Sequence, residues 1–320
     1  MTRALYDRRR PKPPRAADSS EGRPDRASPD RSAEHGGERP SDTRPRFNDH
    51  RPDRKGPPRH GAPRQGQYQS RPKPGDGEDA PIRLYGLHAV EAALANDRRV
   101  INRLLMTENA ENKLAAVIGK RGVTAERTTP RELDRLLGAD TVHQGVMLET
   151  ELLDEPELID IAETAAGGGG PVLVLDQVTD PHNVGAVLRS AAVFGASGVV
   201  MHRRHSPPLN GTLAKSASGA LELVPVVMAQ NLSRTLEDLK EQGFTILALD
   251  SEAETLLEDE PLTGAIALVL GSEGKGLRQL TKEHSHKLVK VATGGAIDSL
   301  NVSNAAAIAL HLAAMRRRGK

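Results

Sequence analysis

Between residues 172 and 316 short apolar runs and helix-patterned stretches take turns without a break, and that alternation leaves few folds open. Residues 172–176 read Val-Leu-Val-Leu-Asp, a continuous apolar run of strand length that ends in a carboxylate, as in a strand buried on both faces. Residues 183–194 carry helical spacing and 198–201 read as a second strand. The pattern then predicts a helix over 232–242, strands over 245–250 and 266–270, a helix over 276–283, a strand over 288–291 and a last helix over 303–316. This order predicts an α/β fold with a mostly parallel sheet and helices on both faces. Such sheets bind ligands at the C-terminal ends of their strands, so the loops that follow each strand are where chemistry is sought.

A smaller α/β unit precedes this one, over 81–155. Its predicted elements are strands at 82–84, 103–106, 123–126 and 146–149, with helices at 86–95, 112–120 and 131–137. A connector over 156–170, containing the four glycines Gly167 to Gly170, leads to the larger unit at 171–320. Residues 1–80 are Arg, Pro, Asp, Gly and Ser with almost no Val, Ile or Leu, which cannot bury enough apolar surface to offset ordering entropy, so a disordered tail is expected. That tail carries about six more basic than acidic side chains, so the near-neutral total of +1 hides a slightly acidic remainder. An RNA-contacting arm and a merely solubilising tail both fit it.

Composition removes several function classes. With no Cys, disulfides, thiolate catalysis and Cys-ligated zinc are excluded together. Aromatic residues make up 2% of the chain and Trp is absent, which argues against an RNA binder built on an aromatic platform. The chain opens on charged and Pro-rich sequence without an apolar run, so a soluble, cytoplasmic protein with neither membrane span nor metal site is expected.

Three loops stand out. The first, DQVTDPHNVGAVLRSA from Asp176, has Pro181 to shape the turn, Asn183 as a candidate helix cap, Gly185 near the helix start, and Arg189 among apolar neighbours, where it either calls for a partner or is an ordinary surface or salt-bridged arginine. The second, LGSEGKGL from Leu270, sets Glu273 among Gly271, Gly274 and Gly276, whose backbones can approach a ligand closely. It is neither GxGxxG nor a P-loop. In the third, IDSLNVSNAAA from Ile297, Ser299 and Asn301 precede a helix that Ser303 can cap, and Ala305 to Ala307 permit close helix packing.

In this order, DPxNxGxxxR, GSEGxGL and SLNVSNAA resemble the three motifs of the SpoU class of SPOUT RNA 2′-O-ribose methyltransferases. The likeness covers roughly residues 172–316. LYGLHAVEAAL at Leu84 and VHQGVMLE at Val142 resemble the L30e-like substrate-binding domain of the branch that methylates a guanosine ribose in 23S rRNA. The resemblance implies a C-terminal deep trefoil knot that holds S-adenosyl-L-methionine, with Gly271, Gly276, Val291 and Leu300 as cofactor-binding positions. It also implies catalytic roles for Arg189, Asn183, Glu273, Ser299 and Asn301, RNA contacts at Lys215 and Ser216, and a homodimer. The chain departs from the pattern at Ala292 and Thr293, where relatives commonly have Pro-Met.

Relatives are thought to activate the 2′-hydroxyl with the arginine that matches Arg189. A guanidinium stays protonated in water and is a poor general base, so an orienting cation that stabilises developing negative charge is the preferred role. A tRNA 2′-O-methyltransferase and a non-catalytic ribosome-assembly protein remain alternatives. A dinucleotide oxidoreductase would need GxGxxG after the first strand, which is absent.

Overall fold

The computed structural model describes residues 81–295 and 299–319. The tail expected over 1–80 lies outside the described residues. The first seven elements are β1 (Ile82–Tyr85), α1 (Leu87–Ala95), β2 (Ile101–Met106), α2 (Glu108–Arg121), β3 (Glu126–Arg127), α3 (Pro130–Leu137) and β4 (Val146–Thr150). They form a four-stranded sheet of order β1-β4-β2-β3, antiparallel except for the β2–β3 pair. Local chemistry sets the helix ends here. In α2, Glu108 and Glu111 occupy the first turn and Lys120 and Arg121 the last, each sign opposing the helix dipole, and Gly122 closes the helix in the left-handed conformation.

The chain continues through α4 (Leu158–Ala166), β5 (Val172–Asp176), α5 (Pro181–Phe194), β6 (Gly198–His202), α6 (Gly211–Ala217), β7 (Val226–Ala229), α7 (Leu232–Glu241), β8 (Thr245–Leu249), β9 (Thr255–Leu256), β10 (Ile266–Gly271), α8 (Gln279–Glu283), β11 (Lys287–Lys290) and α9 (Val302–Arg318). Seven parallel strands stand in the order β7-β6-β5-β10-β8-β11-β9. Every residue of β5 is buried, as its unbroken apolar run requires, and β6 and β10 flank it. After β8 the chain runs out to β9 and returns to insert β10 between β5 and β8. Only then does it lay β11 outside β8.

The segment read as a connector holds α4, whose Ile161, Ala162 and Ala165 bury against one face of the seven-stranded sheet. Two helix caps also differ from expectation. Asp180, not Asn183, caps α5, its carboxylate accepting from the His182 amide at 3.0 Å. Asn301, not Ser303, caps α9, its Oδ1 accepting from the Ser303 amide at 2.9 Å. Pro181 explains the first shift, because proline sits best at the first helical position, just after the cap.

The two sheets share one core: Leu84, Val90 and Leu94 from the first belong to the same apolar cluster as Val184, Leu213 and Leu221 from the second. Across this seam Arg99 grips Glu222 with Nη2–Oε1 2.6 Å and Nε–Oε2 3.2 Å, and both side chains are only 3% exposed. Asn96 Nδ2 donates to the same carboxylate at 2.8 Å, and Tyr85 Oη is hydrogen-bonded to Thr212 Oγ1 at 2.9 Å. Gly211 allows the approach, since a Cβ there would lie 2.1 Å from the Arg83 carbonyl oxygen.

Candidate active site

The three loops meet at the C-terminal edge of the seven-stranded sheet. Asn183, on the first turn of α5, donates from Nδ2 to Glu273 Oε1 at 3.2 Å. Asn301 Nδ2 donates to Asn183 Oδ1 at 3.0 Å and also to Glu273 Oε1. Its own Oδ1 accepts from the Ser303 amide and from Ser303 Oγ, which fixes the amide's orientation. A carboxylate and two carboxamides, one from each loop, thus form a closed hydrogen-bonded cluster. Glu273 and Asn301 are exposed, so a large substrate can reach the cluster.

Beside it lies a cavity of about 420 Å³ over the ends of β10, β8 and β11. All four expected cofactor positions, Gly271, Gly276, Val291 and Leu300, line it, and so does Ser299. Leu249, Leu270, Leu277, Val302 and Ala305 make the apolar wall, while Asp250, Ser251 and Glu252 add polar groups. Gly271 is required for loop closure: a Cβ there would lie 2.4 Å from the Gly276 carbonyl carbon. The Ser272–Gly276 bridge holds the turn, with Gly274 and Gly276 at positive φ. Asp250 follows β8 and takes an ion pair from Lys282 at 2.5 Å. Burial alone raises its pKa, but donation from Lys282 and from the Glu252 amide outweighs burial and holds the carboxyl below its usual value.

Arg189 is not joined to the cluster by any hydrogen bond. It is exposed on α5 and has no partner among the described residues, which agrees with a surface arginine rather than one that is partnered within its helix's apolar surroundings. Lys215 and Ser216 lie on α6, which packs against α5 so closely that a Cβ on Gly185 would stand 2.4 Å from Ser216 Cβ. Ser216 Oγ and His182 Nδ1 are hydrogen-bonded at 2.9 Å, tying α6 to the first of the three loops.

Asp176, Asp250 and His182 escaped the sequence reading as working residues. Asp176 is fully buried and accepts from the Arg278 amide at 3.0 Å, Arg278 Nε at 2.7 Å and Thr281 Oγ1 at 2.7 Å, so it clamps the start of α8 under the second loop. Both carboxylates sit at the end of an apolar strand run, and that position is the signal that marks them.

Comparison with known proteins places the chain beside one family. Residues 170–311 match the SpoU rRNA Methylase family and residues 83–156 match the family described as RNA 2′-O ribose methyltransferase substrate binding. A protein of Xylella fastidiosa named 23S rRNA (guanosine-2′-O-)-methyltransferase RlmB is 39% identical over 241 residues, spanning 73% of this chain and 96% of its own length. The protein of the same name from Xanthomonas campestris is 40% identical over 243 residues, with 74% and 97% covered. Among solved structures, the SpoU methyltransferase AviRb of Streptomyces viridochromogenes, in complex with AdoMet, superposes with a TM-score of 0.63 at 22% identity, covering 74% of this chain and 91% of that one. An RNA methyltransferase of the TrmH family from Porphyromonas gingivalis gives 0.59 at 26% identity, covering 72% and 88%.

Proposed function

The chain belongs to the SpoU rRNA methylase family, and from that membership we propose that it transfers a methyl group from S-adenosyl-L-methionine to the ribose 2′-hydroxyl of a guanosine in 23S rRNA. The observation that carries the reading is the hydrogen-bonded Asn183–Glu273–Asn301 cluster at the mouth of the cavity that the same loops line. The rRNA assignment rather than tRNA rests on the named relatives, which align over nearly their whole length.

The cavity suits the cofactor. Its apolar wall fits a purine, its polar rim of Asp250, Ser251 and Glu252 fits hydroxyl and ammonium groups, and Gly271 and Gly276 keep that part of the wall free of side chains. Gly271, Gly276, Val291 and Leu300 would hold it. When bound, it supplies an electrophilic methyl group on a sulfonium. Methyl transfer needs the attacking oxygen in line and about 3–3.5 Å away, so positioning is the protein's first task. Asn183, Glu273, Ser299 and Asn301 order the site. Arg189, a cation facing solvent without a partner among the described residues, orients the hydroxyl and stabilises the charge that develops on it.

Residues 81–155 serve as the L30e-like RNA-binding part and 171–320 as the catalytic part. The return of β10 between β5 and β8 supports the C-terminal trefoil knot. Exposed Val193 on α5 and Met315 on α9, two helices packed together, support a homodimer through this face. Among the described residues no helix is long and apolar enough to cross a membrane, and no cluster of His, Cys, Asp and Glu could hold a metal. Titration calorimetry with S-adenosyl-L-methionine tests the reading: one-site binding that weakens when Leu300→Asp is introduced supports it, and no binding by the wild-type chain overturns it.

A further inference from the structure

A second cavity, of about 440 Å³, opens on the same edge of the sheet, on the opposite side of the Asp176–Arg278 pair from the cofactor cavity. It lies over the ends of β6 and β7, between the start of α7 and the start of α8, and is large enough for a sugar-phosphate. We propose that this cavity is a phosphate subsite that grips an RNA phosphodiester flanking the target nucleotide. The proposal rests on the RNA methyltransferase reading for the identity of the chain that supplies the phosphate.

The walls carry donors. His202 is only 8% exposed and lines the cavity. Its Nδ1 accepts from the Arg204 amide at 3.1 Å, so in the neutral ring the proton sits on Nε2, which has no partner among the described residues. Burial, with His205, Arg278 and Arg204 adding to it and Asp176 opposing, holds the His202 pKa below its usual value. The ring is therefore a neutral Nε2–H donor unless an anion binds. Arg278 uses its amide and Nε on Asp176, which leaves both terminal amino groups of the guanidinium without a partner among the described residues.

The ten-residue helix α7 adds its N-terminus. Asn231 Oδ1 accepts from the Arg234 amide at 3.3 Å, whereas the Leu232 and Ser233 amides have no acceptor among the described residues. Ser233 and Gln230 side chains complete the wall. None of the lining residues is a carboxylate; Asp176 lies behind Arg278, saturated by Arg278 and Thr281. One guanidinium, a helix N-terminus and the N–H of a histidine that lines the cavity, with no carboxylate in the lining, is the chemistry of a phosphate. Arg204, exposed and without a side-chain partner among the described residues, extends the positive surface outward, which favours a phosphate carried on a long polyanion over a free ion.

Two substitutions test it in the full chain. Ser233→Glu puts a carboxylate in the cavity at the second position of α7, where an acid favours the helix, so folding is retained. His202→Asn keeps an acceptor for the Arg204 amide and deletes the Nε2 donor. Binding to a 23S rRNA transcript is measured against KCl concentration, alongside methylation KM and kcat, S-adenosyl-L-methionine affinity, and the His202 ring resonances titrated with inorganic phosphate and with RNA.

Ser233→Glu is expected to raise KM for RNA about tenfold and to flatten the salt slope by about 0.7–0.9, the share of one phosphate. His202→Asn should move KM the same way by less, with kcat and cofactor affinity unchanged in both. RNA should shift the His202 ring at far lower concentration than inorganic phosphate does. Unchanged KM and salt slope in both variants, or a ring that responds to inorganic phosphate but not to RNA, overturns the subsite. A wild-type chain that leaves the transcript unmethylated would instead count against the functional reading, while the salt slopes still decide the subsite.

Discussion

Glu222→Gln is the sharpest probe of how the two sheets are joined. Glu222 is the counter-charge of Arg99, and with both side chains 3% exposed neither has water to fall back on. The amide keeps the volume but removes the charge, and its nitrogen turns a donor toward Arg99 or Asn96. Arg99 then keeps the Glu151 carbonyl at 2.7 Å from Nη1 and at most one bond to the amide oxygen, where it had two charge-assisted bonds to the carboxylate. Breaking a buried pair from one side costs about 3–5 kcal/mol. At roughly 2–4 °C per kcal/mol for a unit of this size, Tm should fall by about 6–20 °C. Urea titration followed by circular dichroism should show a lower midpoint with an unchanged slope. The double variant Arg99→Met with Glu222→Leu removes both charges and should recover most of the loss. A single variant within about 1 kcal/mol of wild type, or a double variant as damaged as the single, would refute the claim that the ion pair holds the seam.

Three further outcomes follow from the same structure. Gly185→Ala should lower stability by about 1–3 kcal/mol in thermal unfolding, because its Cβ meets Ser216 at 2.4 Å and α6 must back away from α5. Arg189→Lys should leave single-turnover methylation well below wild type with no new pKa in its pH profile if Arg189 orients the hydroxyl; a large recovered rate with a new titration would make it a base. His286, whose Nδ1 accepts from the Ile246 amide at 2.9 Å, has its pKa pushed below the usual 6.5 by burial and then by Lys240. The unfolded chain therefore takes up this proton first as pH falls, so the contribution is full above about 6.5 and is lost progressively below it. His202 acts in the same direction, and urea midpoints from pH 7.5 down to about 5 should decline less in His286→Asn than in wild type.

Strand runs and loop motifs made the catalytic half of the fold legible. Val172–Asp176 is read identically from sequence and structure because a strand buried on both faces has no polar position to blur its ends. By contrast β7 and α6 escaped: β7 is four residues long, and α6, GTLAKSA, has too many small residues to show an apolar stripe. The caps of α5 and α9 were displaced because Asn183 and Ser303 satisfy cap preferences as well as Asp180 and Asn301 do, and only the fold shows which backbone turns there. The residues of the cluster were legible as types, but that Asn183, Glu273 and Asn301 bond directly to one another depends on long-range closure across 118 positions. The seam between the sheets was not legible at all, since Arg99 and Glu222 look like ordinary surface charges until both are buried.

Methyl transfer to a ribose of 23S rRNA at the three loops is the activity we propose for this chain. Its most direct test is to incubate the purified chain with S-adenosyl-L-methionine and an unmodified 23S rRNA transcript, and to map the product by nuclease digestion and mass spectrometry. One 2′-O-methylguanosine that appears with wild type and not with Asn301→Ala or Arg189→Ala is the expected result. A methyl group on a base, or equal methylation by wild type and both variants, would contradict it.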